Sequence, residues 1–297
     1  MFHRVHPERD QLWDPMDVPL FEKAIKYISN KFDVVCFEET DVSTLAKHQR
    51  VATVMFDDGY LDNLEYAAPI LQKYNIKASF YVATNCINQN KPTWTYELDY
   101  KLQHATCAAL ELPFEYIAEP LKSVQLADID TVAKLKPALK KMSYEYRSKV
   151  LDSIHAQTAD VELPKLMMNW QEVQQLKNAG HYIGSHSVNH YMLGTTDNQE
   201  LVAYELQASA KTIQEELGHF PTTISYPIGS YNHTTIELSK EAGYTRGLAT
   251  KQKRYHPDKD PIFEVPRVEL YNESWPKTKM RIHGVVEQIK RILKPGS

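Results

Sequence analysis

The chain has 297 residues, 42% of them hydrophobic and 24% charged, which excludes a disordered chain and is enough to fill a sizeable core. At about 150 residues per domain this length admits two domains or one large one, and α/β barrels reach it undivided. Lys and Arg number 34 against 38 Asp and Glu, for a net charge of -4, so the basic field of a nucleic-acid binder is missing and no nucleic-acid partner is expected. The three cysteines, Cys36, Cys86 and Cys107, have no CxxC spacing, which argues against a disulfide framework and a thiolate zinc site.

The opening residues are charged at once and lead into no apolar stretch, which predicts a soluble, cytoplasmic protein. In chain order, a helix is predicted over 20–28, strands over 32–37 and 51–56, a helix over 67–74 with Pro69 in its first turn, and a strand over 78–83. From about 91 to 164, helical patterns at 132–142 and 143–154 follow one another without an intervening strand, which predicts a helical insertion on one loop. A helix over 169–179 closed by Gly180, a strand over 181–184, a helix over 198–217 ending at Gly218, and strands over 222–226 and 247–250 complete the pattern. Alternation of this kind predicts a parallel sheet, most simply a barrel forming one domain over 1–297. At the C-terminus, Ile282, Val285, Val286, Ile289, Ile292 and Leu293 fall at helical spacing among basic residues. A basic amphipathic helix over about 278–294 is expected, packed on its own barrel or making peripheral contact with an anionic membrane.

Two short motifs carry chemistry. Asp57 and Asp58 follow the predicted strand 51–56 and so project from the C-terminal rim of a barrel, where barrel active sites sit. Adjacent carboxylates stay ionised together only when a cation shares the site; the alternative is an ordinary Asp-Asp-Gly turn and helix cap. His186 and His190 stand at i and i+4 after the predicted strand 181–184, a spacing that lets both imidazoles of a helical turn reach one metal. Paired surface histidines are the alternative in a chain holding 12. Together the motifs supply two nitrogens and a carboxylate, a set that leaves a metal position open for water.

In order and spacing, Val54-Met55-Phe56-Asp57-Asp58-Gly59, Ile183-Gly184-Ser185-His186-Ser187-Val188-Asn189-His190 and Ser225-Tyr226-Pro227-Ile228-Gly229 resemble the polysaccharide deacetylase family, also called the NodB homology domain or carbohydrate esterase family 4. The resemblance implies an α/β fold, a distorted (β/α)7 TIM-like barrel. It implies Asp57 as base, with Asp58, His186 and His190 holding one divalent metal, zinc first, with cobalt, nickel, iron or manganese as alternatives. The third family motif ordinarily reads Arg-x-Pro-Tyr, and this chain has Ser225 in place of the arginine. Arg267 is the candidate replacement, with a surface ion pair as the alternative. The backbone amide of Ile228, after Pro227, is the candidate oxyanion donor.

The family's late Leu-x-Leu-His motif, which supplies an acid, is also absent from the C-terminal segment. The opening Phe2-His3 resembles the Tyr-His opening of circularly permuted members, which implies His3 as general acid and leads us to expect further residues ahead of it. Among the aromatic residues of the expected rim loops (Trp94, Tyr96, Tyr100, Trp170, Tyr191, Tyr226 and Tyr231), most read as core. Tyr226, Tyr231 and Asn232 are the substrate-side candidates. The expected function is metal-dependent removal of the N-acetyl group from an amino sugar of a bacterial polysaccharide or its precursor. The partner is then an N-acetylated glycan, and the insertion walls its groove. Hydrolysis of another amide or ester, or a non-catalytic glycan-binding barrel, are the alternatives.

Overall fold

The structure is a computed structural model that describes residues 1–39 and 50–285. Helix α1 (Val18–Lys31) extends the predicted helix at both ends, with Pro19 in its first turn. The predicted strand over 32–37 shrinks to β1 (Asp33–Val34), which among the described residues pairs only with β2 (Val51–Ala52). The expected strand over 51–56 is therefore split, because β2 joins that outer ribbon while β3 (Met55–Phe56) enters the main sheet. A π-helical turn at Asn63–Ala67 leads into α2 (Ala68–Lys73), followed by β4 (Ser79–Val82) and α3 (Thr84–Gln89).

The insertion holds α4 (Trp94–His104), a hairpin of β5 (Ala109–Glu111) and β6 (Ser123–Gln125), α5 (Ile129–Lys140) and α6 (Tyr144–Gln157). The expectation of helices alone is corrected by this hairpin. Its strands are only three residues long, each with a single buried side chain, Leu110 and Val124, too little alternation to read in advance. Side chains of Asp128 and Ser143 cap the two helices that were expected.

Beyond the insertion, α7 (Trp170–Asn178) opens on a capping box between Asn169 and Glu172. Strand β7 (Tyr182–Ser185), α8 (Gln199–Leu217) closed by left-handed Gly218, β8 (Thr223–Ser225), α9 (His233–Glu241) and β9 (Arg246–Leu248) follow. The C-terminal helix α10 (Trp275–Ile282) starts before its expected position and stops where Gly284 turns left-handed, at φ 69°. Its Trp275 and Ile282 pack on the main core, and residues 286–294 of the expected helix lie outside the described residues. Among the described residues, no helix is long and apolar enough to cross a membrane.

Among the described residues, β3, β4, β7, β8 and β9 form one parallel sheet in that order. Two irregular segments close it into a ring. Phe2 bridges Phe56 in parallel, and Val265 bridges Leu248 in parallel. The segments then meet each other, with Met1 N donating to Val268 O at 2.8 Å and Leu270 N to Met1 O at 3.1 Å. The result is a curled α/β barrel whose helical insertion has a core of its own, around Leu98, Leu110, Leu135 and Val150. Strand alternation divides the barrel's apolar residues. Phe56, Phe80 and Ile183 face the helices in one cluster with Phe2 and Phe21, whereas Met55, Tyr81, Leu248 and Val265 fill another. Each large apolar side chain so buried contributes about 1.5–3 kcal/mol.

Candidate active site

The chemistry gathers where the staves end. Immediately after β3, Asp57 N donates to Phe2 O at 3.1 Å, and the chain turns through Asp58 at φ 78° and Gly59 at φ 95°. Glycine is needed there on two counts, because φ is left-handed and a Cβ would sit 2.9 Å from Ile87 Cδ1. The turn sends the two carboxylates into different surroundings.

Asp57 meets a forked cation. Arg267 donates from its two terminal nitrogens to Oδ1 and Oδ2 of Asp57, both at 2.8 Å, and from Nε to Ala249 O at 3.1 Å. Ser225 Oγ accepts from Arg267 at 2.9 Å and donates to Asp57 Oδ2 at 3.2 Å. Asp57 and Arg267 are both buried, so the surface ion pair that was the alternative for Arg267 is set aside. Burial opposes the Asp57 charge, but Arg267 outweighs it and lowers the carboxyl to about 2.

Asp58 meets nitrogens instead. His186 Nε2 and His190 Nε2 each lie 3.2 Å from Asp58 Oδ1, and all three residues are buried. His186 Nδ1 is 2.6 Å from Ser225 O, a pure acceptor, so Nδ1 is the donor there and Nε2 is the ring nitrogen turned to Asp58. Burial holds His190 below the ordinary imidazole value, although Asp58 opposes this, and its Nε2 also faces Asp58. Burial also opposes the charge of Asp58, but the facing imidazoles outweigh it and keep the carboxyl well below its usual range. Asp58 Oδ1 has no hydrogen-bond donor. Three acceptor atoms within 4.8 Å of one another, one of them an undonated carboxylate oxygen, fit a divalent cation. The sequence expectation placed the histidines on a helical turn. They instead bracket a loop in which Ser187 and His190 are left-handed, at φ 65° and 59°.

His3 reaches the same rim, one residue after the Phe2 bridge. Its Nδ1 pairs with Glu269 Oε1 at 3.2 Å, its ring stands edge-on to Trp13 at 5.5 Å, and its side chain keeps 23% exposure. Burial disfavours its charge, yet the Glu269 hydrogen bond and carboxylate, with Asp58 and Asp57 further off, raise it to about 9. Glu269 also accepts from Tyr271 Oη at 2.5 Å and from Gln252 Nε2 at 3.2 Å.

The other candidates have different surroundings. Tyr226 is fully buried and stacks on Tyr231 at 4.8 Å, so it packs in the core and not against a ligand. Tyr231 Oη donates to Glu264 at 2.7 Å, while the Asn232 side chain is engaged in the capping box of α9. Ile228 lies in the turn after Tyr226 at φ 59°, its side chain against the insertion core. The insertion also grips the loop that follows ligand candidate His190: Tyr144 meets Tyr191 at 4.9 Å, Arg147 donates to Thr195 Oγ1 at 3.1 Å, and Thr196 Oγ1 donates to Glu145 at 2.9 Å.

Sequence reasoning missed Glu269 and the Ser225 hydroxyl. Alternation along Val265-Pro266-Arg267-Val268-Glu269-Leu270-Tyr271 carried a signal, because it places Arg267, Glu269 and Tyr271 on one face of an extended segment.

Comparison with known proteins agrees with this geometry. The polysaccharide deacetylase family model matches residues 45–247. A relative from Bacillus subtilis (strain 168), YxkH, whose name places it among polysaccharide deacetylases, is 20% identical over 205 residues, covering 68% of this chain and 46% of its own; the chain thus spans about half of that relative. In fold, the chain is similar to the Streptococcus pyogenes deacetylase PplD in complex with acetate (TM-score 0.62, 15% identity, 95% of each chain). It is similar too to IcaB from Ammonifex degensii (TM-score 0.62, 16% identity, 95% of this chain and 94% of that one). With two thirds of its length matched and both motifs meeting on one rim of a curled barrel, the chain belongs to the polysaccharide deacetylase family.

Proposed function

We propose that this protein hydrolyses the N-acetyl group of an amino sugar in a polysaccharide or polysaccharide precursor, releasing acetate, with one divalent metal held by Asp58, His186 and His190. The observation that carries the reading is the pair of adjacent carboxylates, one neutralised by Arg267 and the other facing two imidazole nitrogens. A bound zinc-like ion supplies Lewis-acid polarisation of the carbonyl and of the attacking water.

The chain's own groups do the rest. Asp57 Oδ1 accepts one bond from Arg267 and Oδ2 accepts two, so Oδ1 is the freer to take a proton from the attacking water. A carboxylate near 2 is a weak base, which is why it works only on a water strongly acidified beside it. The Ile228 amide is the donor we assign to the developing oxyanion. His3, protonated at neutral pH through Glu269, gives its proton to the departing amine. The insertion, fixed to the loop after His190 and to Ile228, walls one side of the glycan groove.

The test has two arms. Elemental analysis should find about one divalent metal per chain, lost in His186→Ala, and N-acetylated oligosaccharides should release acetate. Metal without acetate release would move the reading to another amide or ester, and no metal after incubation with zinc, cobalt and nickel would end it.

A further inference from the structure

A helical turn would hold His186 and His190 in register through its own hydrogen bonds, but this loop has no such ladder and contains two non-glycine left-handed residues. Its order comes from outside. On one side, the amides of Thr84 and Asn85 at the start of α3 donate to the carbonyls of Ser187 and Val188 at 3.1 and 2.9 Å. On the other, Glu205, fully buried in the middle of α8, accepts three bonds with Oε1 and Oε2. Val188 N donates to Oε2 at 3.0 Å, Asn189 N to Oε2 at 2.8 Å, and Asn189 Nδ2 to Oε1 at 2.6 Å. Asn189 Oδ1 in turn accepts from Asn85 Nδ2 at 2.7 Å, so the side chains run as a relay from α8 through the loop to α3.

Among the described residues, Glu205 has no ion-pair partner; the donors described on it are these amide groups of the histidine loop. A buried carboxylate satisfied by neutral donors is expensive to keep in a helix interior unless it orders something. We infer that Glu205 is a positioning residue for the metal set: by holding the amides of residues 188 and 189 it fixes the strained loop in the one conformation that aims both imidazoles at Asp58. This inference rests on the metal reading above.

The relay has a polarity that can be reversed. In Glu205→Gln the new amide nitrogen faces the Asn189 amide nitrogen, donor against donor. Adding Asn189→Asp restores complementarity, because Asp at 189 accepts from both Asn85 and the glutamine, while the glutamine oxygen still accepts from the two backbone amides. We expect Glu205→Gln to weaken zinc binding about ten- to a hundredfold in competition with a chromogenic chelator, and to speed hydrogen exchange across residues 187–190 in the metal-free protein. The double variant should recover both, and Asn189→Ala, which removes one donor of the three, should fall between parent and Glu205→Gln. Equal zinc affinity in parent and Glu205→Gln, or a double variant no better than the single one, overturns the proposal. A parent that takes up no zinc sinks the metal reading, and the exchange measurement, made without metal, then decides on Glu205 by itself.

Discussion

Asp57 and Asp58 are adjacent, equally buried, and built into opposite electrostatic settings. Asp57 is closed: its charge is matched by a forked guanidinium, and its oxygens already receive three hydrogen bonds. Asp58 is open: its Oδ1 receives none, and its neighbours are the Nε2 atoms of two imidazoles. The left-handed turn at Asp58 and Gly59 separates the two environments over a single peptide. Adjacent identical side chains thus take two different characters from what surrounds them, one as a paired anion and one as a candidate metal ligand.

The sharpest way to break the contrast is Asp57→Asn, which keeps shape and removes the base. Turnover should fall about 10²–10⁴-fold with metal content unchanged, as acetate-release kinetics and elemental analysis would report; retained turnover refutes the base. Arg267→Ala comes next, because it leaves a buried carboxylate unpaired and should destabilise the fold by about 3–5 kcal/mol in urea unfolding. Here the sign follows from the lowered carboxyl. With Asp57 near 2 in the folded chain against 3.8 ordinarily, its stabilisation is full above about pH 4 and is lost as pH falls through 2. In the variant the carboxyl rises, and the acid limb of activity moves to higher pH.

A smaller effect separates the acid from the base. His3 is raised from 6.5 to about 9, so its imidazolium and the stability it brings are full below pH 6.5 and fade as pH rises through 9. Glu269→Gln removes the facing charge, and the alkaline limb of the rate profile should move toward neutrality while the acid limb stays. An unmoved alkaline limb would detach Glu269 from His3. Smallest of all, Ser225→Ala deletes one neutral donor to Asp57, worth about 1 kcal/mol, and should slow turnover by several-fold in steady-state measurements.

Much of this was legible in the sequence. The alternation of strands and helices gave the barrel, and Asp57, Asp58, His186, His190 and Arg267 do converge on one rim, with Arg267 forked onto Asp57. What stayed hidden has physical reasons. The stretch 32–37 is apolar and β-prone, so it reads like a barrel stave, yet the place beside β3 is taken by Phe2, which has too few neighbours for any periodicity to register. The histidine loop has helical spacing without a helix, because its bonds run to α3 and α8 and not along itself. Glu205 did leave a trace. It falls with Val202, Leu206, Ser209 and Ile213 on the buried stripe of α8, and a charge on an apolar stripe asks for a partner.

The ring closure sets an order of assembly. The residues of the Asp58, His186 and His190 cluster, and Glu205 that orders their loop, have all been made by residue 205, whereas Arg267 and Glu269 arrive some sixty residues later and must travel back to partners at Asp57 and His3, 210 residues away in sequence for the Arg267 fork. Contacts of such separation form late, because loop entropy is spent before they reward it. A chain still emerging from the ribosome would therefore hold Asp58 and the two histidines together while Asp57 lacks its guanidinium and His3 its carboxylate, and the proposed hydrolysis would begin only when the segments around Met1 and Val268 meet.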